Sequence, residues 1–267
     1  MQLAYARQAD RIWILNVGDL KPLEIPINHF MDLAYDTPTW GYDSVPTWLK
    51  LWATREFGAE HSDAIASIMD RYGMYAMRRK YELIDPYYYS IINYNEGDAV
   101  LAQWQALAND AQAVYNALGT EYLPAFYEMI LQPVLGGQAV HQIYINAAKN
   151  SLYAIQKRNA ANTIVQDVLD SFNQDAALTK RYHDLLGGKW DHMLDRKLTP
   201  FYLCRKAIMN HALILSKSRN PFRLLELLAT THAQHSSASF LRPTSRRLSC
   251  RKPWCWSRSQ QCHSLRR

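Results

Sequence analysis

The sequence predicts a mainly α chain: an antiparallel helical bundle, preceded by one short buried strand and followed by a disordered basic tail. Three observations carry this expectation. Apolar side chains recur at Val100, Trp104, Leu107, Ala111, Val114 and Leu118, a spacing of 4, 3, 4, 3 and 4, which draws one stripe along a helix. Ile12, Trp13, Ile14, Leu15, Asn16 and Val17 form a short run without polar alternation, the pattern of a strand covered on both faces. Beyond residue 200, charge, cysteine use and periodicity change together.

The chain has 267 residues, 48% of them apolar and 20% charged. That is enough to bury a core, and it excludes a wholly disordered chain, a collagen and a disulfide-stapled miniprotein. No run of about 18 apolar residues is present, so no membrane-spanning helix is expected. The first residues, Met1 to Gln8, lack the basic start and apolar stretch of a secretory signal. The net charge of +6 hides a division: residues 201–267 carry +12 and residues 1–200 carry −6. Cys204, Cys250, Cys255 and Cys262 all lie in the basic part. Their spacing fits no common zinc pattern, and the first 200 residues must fold without disulfides.

Gly18 and Asp19 end the strand, and the Lys21-Pro22 and Ile25-Pro26 pairs predict an extended or turning segment. Pro46 opens a helix that carries Trp48 and Trp52 and stops near Gly58. Ser62 and Asp63 suit the cap of the next, with Ile65, Ile68, Met69, Tyr72, Tyr75 and Ala76 along it. Asp85-Pro86 breaks the chain, and Tyr87, Tyr88, Tyr89 and Tyr94 follow. A long helix is predicted over 95–118, another over 121–135 up to Gly136-Gly137, and a third over 138–158 with Val140, Tyr144, Ala147 and Ala154 inward. A last helical group covers 160–186 and ends at Gly187-Gly188. Such helices joined by short loops suit an antiparallel bundle. Residues 233–267 show no periodicity and read as disordered.

The candidate chemistry lies at the end of the strand. Asp19 and Glu24 are carboxylates, and glycoside hydrolysis uses a pair of them. Asn16 suits sugar hydroxyls, and Lys21 suits an acidic substrate group. The competing reading is a structural turn, with Asp capping, Lys solvated and Asn on the backbone. Trp40, Tyr42, Trp48 and Trp52 either stack on sugar rings or fill a seam between helices. His29, His61, His141, His183 and His192 have no metal-binding spacing, so no metal is expected. The basic tail either binds polyanions or is a solvated extension, and the latter is favoured over a nucleic-acid partner.

Several segments together resemble family 115 glycoside hydrolases, the xylan α-1,2-glucuronidases. They are Ala9 through Glu24, His29 through Ala34, Leu51-Trp52-Ala53 with Glu56-Phe57-Gly58, and Lys80 through Leu83. Lys149 through Ala154, Gln156 through Arg158, and Gly187 through Asp195 complete the set. The resemblance implies a large multidomain enzyme with a catalytic (β/α)8 barrel. It implies removal of glucuronic acid or 4-O-methylglucuronic acid from xylan with inversion, and no cofactor. On this reading residues 1–45 are a barrel remnant, 46–195 a helical bundle and 196–267 a basic, disordered or non-native tail. The strand becomes a remnant of the barrel, and the chain alone is expected to be inactive. Asp19 and Glu24 become candidate catalytic residues, with Asn16, Lys21, Trp40 and Tyr42 on the substrate. The implied partner is glucuronoxylan or its oligosaccharides, outside the cell for the complete enzyme; no membrane partner is expected, and a homodimer through the helical domain is a further association. The alternative is a helical interaction module without catalysis. After Asp195 the resemblance stops, as a shifted reading frame or a retained intron would produce.

Overall fold

A computed structural model describes residues 1–18 and 20–195. Asp19 and residues 196–267, with the basic tail and all four cysteines, lie outside the described residues. The described chain forms helices α1 (Gln2–Ala6), α2 (Glu24–Tyr35), α3 (Val45–Phe57), α4 (Ser62–Ala76) and α5 (Glu96–Ala117). It continues through α6 (Leu123–Phe126), a π turn (Tyr127–Leu131), α7 (Gln132–Ile155) and α8 (Ala160–Asp184). Helices packed on one another include α3 on α4, α4 on α5, α5 on α7 and α7 on α8.

The strand expectation is corrected. No β-strand occurs among the described residues. Residues 12–17 run irregularly, with Ile12 81% and Ile14 86% exposed. A buried strand needs hydrogen-bonded neighbours on both edges, and none of the described residues supplies one. The turning segment at 21–26 is also shorter than expected. Helix α2 begins at Glu24 and takes Pro26 into its first turn, where a missing N–H costs no hydrogen bond.

The stripe on α5 faces the core. Val100, Trp104, Leu107, Ala111 and Val114 are all buried, and Leu118 just beyond the helix is buried too. Leu107 is wholly excluded from solvent, a burial that stabilises by about 2 kcal/mol. An aromatic ladder continues the core across elements. Trp48 and Trp52 stack at 6.5 Å, Trp52 meets Phe57 at 5.8 Å, and Phe57 meets Phe126 at 5.5 Å. Trp48 also donates from Nε1 to Asp32 Oδ2 at 2.8 Å, tying α3 to α2.

Two boundaries differ from the expected ones. Gly136-Gly137 does not separate two helices; α7 runs through both. The reason lies at Gly137, where an added Cβ would stand 2.5 Å from Trp104 Cη2 and 2.8 Å from the Tyr81 hydroxyl. Glycine lets α7 approach α5 at this crossing, and the neighbouring α-helical turns absorb its flexibility. At α4, Ser62 is the first helical residue and His61 precedes it. The Ser62 hydroxyl donates to Ala59 O at 2.9 Å instead of capping the helix. Gly187 and Gly188 close the helical part with φ of +71° and +87°, a conformation that favours glycine.

Candidate functional site

Lys21, just before α2, reaches into the body of the protein. Lys21 pairs with Glu24 in the first turn of α2. Its ammonium also lies 3.6 Å from Glu128 Oε2, and 4.6 Å from the ring centroid of Trp190, a cation–π distance. Tyr182 on α8 donates to Glu128 Oε1 at 3.2 Å. Four separate stretches of chain thus meet around one buried carboxyl group.

Glu128 is 1% exposed and sits in the π turn between α6 and α7. A π turn carries one residue more than an α turn and shifts which side chains face inward. Here Phe126, Tyr127, Glu128, Ile130 and Leu131 are all buried. Tyr127 donates to Leu178 O at 3.0 Å, which pins the turn to α8. Among these apolar neighbours a carboxylate is poorly solvated. Burial first, and then the Glu24 charge, push Glu128 up to about 7, while Lys21 and the Tyr182 hydrogen bond pull the other way. Burial would lower Lys21, but Glu24 and Glu128 outweigh it and hold the ammonium above its ordinary range. Glu24 Oε2 is buried without a donor, and Glu24 and Glu128 share the Lys21 ammonium. Two carboxylates against one ammonium disfavour the second negative charge.

The residues proposed from sequence are distributed unevenly. Lys21 and Glu24 come together. Asn16 is exposed in the irregular segment, and Asp19 lies outside the described residues. Trp40 and Tyr42 fall in the loop between α2 and α3. Trp40 packs against the core and its carbonyl accepts from the Gln2 side chain, whereas Tyr42 is 69% exposed. No hydrogen bond, ion pair or ring contact among the described residues joins these two to Lys21 or Glu24. Trp48 and Trp52 belong to the core. Glu128, Tyr182 and Trp190 were not singled out. The signal for Glu128 was available, since an acid between Phe126-Tyr127 and Met129-Ile130-Leu131 interrupts an apolar run.

Lys21 is thus already neutralised. An ammonium with two carboxylates and an aromatic face has little capacity left for an acidic ligand. The arrangement can hold a proton and fix a segment; its chemistry is that of a clamp. A separate groove of about 740 Å³ opens beside it and includes Pro22, His29, Met69, Met74, Met77 and Met129. It is mostly apolar, and neither Lys21, Glu24 nor Glu128 lines it.

Comparison with known proteins agrees with the resemblance read from the sequence. Residues 1–83 match the family described as glycosyl hydrolase family 115. A solved family GH115 4-O-methyl-α-glucuronidase, BtGH115A, with specificity for decorated arabinogalactans, shares the fold with a TM-score of 0.60 and 24% identity. The match covers 82% of this chain and 29% of that one, so the present chain spans under a third of its length. No curated protein matches. Together the findings support a family 115 fragment, with the family match carried by residues 1–83 and the remainder by fold alone.

Proposed function

We propose that this chain contributes to a glycoside hydrolase that removes α-linked glucuronic acid, or its 4-O-methyl form, from a polysaccharide with inversion. One observation carries the reading. The family match over residues 1–83 includes the segment Asn16 to Glu24, the same segment that residue chemistry singles out. Inversion uses one carboxylic acid to protonate the leaving oxygen and one carboxylate to activate water on the opposite face. Of the two candidate carboxylates, Glu24 is engaged by Lys21. Asp19 is therefore our candidate for contact with the substrate, with Asn16 beside it on sugar hydroxyls. Trp40 and Tyr42 are proposed as stacking residues at the rim. In this reading residues 1–45 belong to the catalytic barrel and residues 46–195 form the helical domain that braces it.

A single irregular segment does not make a barrel, which closes with eight strands over about 200–250 residues. Exposed Ile12 and Ile14 are the surface such strands would cover. The chain alone should release no uronic acid from glucuronoxylan or from a decorated arabinogalactan. Joined to the rest of a family 115 barrel, it should release glucuronic acid as the β-anomer, read by nuclear magnetic resonance during the first turnovers. Release of the α-anomer would overturn inversion, and no release from either polymer would overturn the function.

A further inference from the structure

We propose that Glu128 is the positioning residue of the segment from Lys21 into the first turn of α2, holding it in a grip against the helical body. The inference rests on the reading of that segment as part of a carbohydrate site, but its test does not. The geometry carries it. Glu128 lies far along the chain from Lys21, yet its carboxyl group stands 3.6 Å from the ammonium. The residue is set there by a π turn, which is itself fixed by the Tyr127 hydrogen bond to α8. Tyr182 holds the opposite oxygen at 3.2 Å, so the carboxyl group is constrained on both sides. Lys21 in turn is bounded by Glu24 and by the face of Trp190.

The charged and titratable groups facing Glu128 are Lys21 before α2, Glu24 at the start of α2, and Tyr182 on α8. Two carboxylates and one ammonium leave a net negative charge when both acids are ionised. With Glu128 protonated, Lys21 and Glu24 balance. Burial and the Glu24 charge favour that protonated form. A carboxyl group that binds its proton more tightly when the segment is docked must, by linkage, dock the segment more tightly when it is protonated. The grip therefore tightens below about neutral pH and slackens above it.

Hydrogen exchange on the full chain tests this, because the amides of α2 are protected only while α2 is docked. After correction for the intrinsic pH dependence of exchange, α2 amides should open at least about tenfold less at about pH 5.5 than at about pH 8. Amides of α5 should show no matching change. Glu128→Gln keeps the shape and donor capacity of the protonated acid, and it should abolish the tightening at the lower pH, leaving only the opposite trend of His29 on α2, whose burial disfavours its charged form. Equal α2 protection of the unaltered chain at both pH values would overturn the proposal. So would a Glu128→Gln chain that keeps the pH dependence, or a change shared equally by α5. Catalytic inactivity of a rebuilt enzyme would leave this result untouched.

Discussion

Two buried titratable side chains give the protein opposing responses to pH. His141 is 1% exposed, donates from Nδ1 to Gly137 O at 2.7 Å and lies 3.2 Å from the Tyr89 hydroxyl. The Nδ1–H donation leaves Nε2 to accept from Tyr89, so the ring is held neutral, and burial above all lowers it to about 4. Its contribution to stability is complete above about pH 6.5 and is lost as the pH falls from there toward 4, with a slope of at most about 1.4 kcal/mol per pH unit. Glu128 behaves in the opposite sense. It is raised to about 7, so the folded state keeps a proton that the unfolded chain releases, and stability falls as the pH rises from about 4.5 through 7. Between about pH 4.5 and 6.5 the two slopes offset one another. Melting temperatures over that range should be nearly level for the unaltered chain. They should rise with pH in Glu128→Gln and fall with pH in His141→Gln. Identical profiles for all three proteins would refute both assignments. The partners of neither group were legible, although Glu128 stands out as an acid within an apolar run. His141 read only as a histidine without ligand spacing, because its partners Gly137 and Tyr89 are supplied by α7 and the loop before α5. Lys21 and Glu24 stand out as charged residues after the apolar run at 12–17, and their pairing follows from the first turn of α2.

At the level of elements, periodicity was the readable quantity and registration between elements was not. The five stripe positions of α5, and Leu118 just beyond it, are buried as their spacing requires. The π turn at Tyr127–Leu131 escaped notice, since an extra residue in one turn depends on what α8 presents to it. The Gly136-Gly137 pair misled for a related reason: local sequence cannot distinguish a glycine that ends a helix from one that admits a neighbour. The structure makes that distinction testable. Gly137→Ala would lie within 2.6 Å of two atoms of the Trp104 ring. It should destabilise by about 1–3 kcal/mol through overpacking, whereas Gly136→Ala, with no atom nearer than 3.6 Å, should stabilise by up to about 1 kcal/mol. Chemical denaturation of the two variants compares them directly. A neutral Gly137→Ala would show that α5 and α7 have room to part.

For the whole molecule, helix content was predictable and the segment before α2 was not. A strand is a property of a sheet, and among the described residues the apolar run at 12–17 has no partner that would make it one. Residues 46–195 contain α3 through α8 and most of the core cluster. Expressed without the flanking segments, they should give a mostly helical circular dichroism spectrum and one cooperative thermal transition. A coil spectrum would show that α2, through Ile25 and Leu33, is indispensable to the core.

The hydrogen bond from Trp48 to Asp32 has an optical meaning as well. Its indole sits between the His29 ring at 4.7 Å and the stacked ring of Trp52, whose plane is only 16° away. Excitation absorbed by either indole can pass to the other, and the emission of the pair depends on the carboxylate and imidazole that α2 brings to Trp48. The pair therefore gives the α2–α3 contact an emission of its own, to be read against that of the six other tryptophans by replacing Trp48 or Trp52.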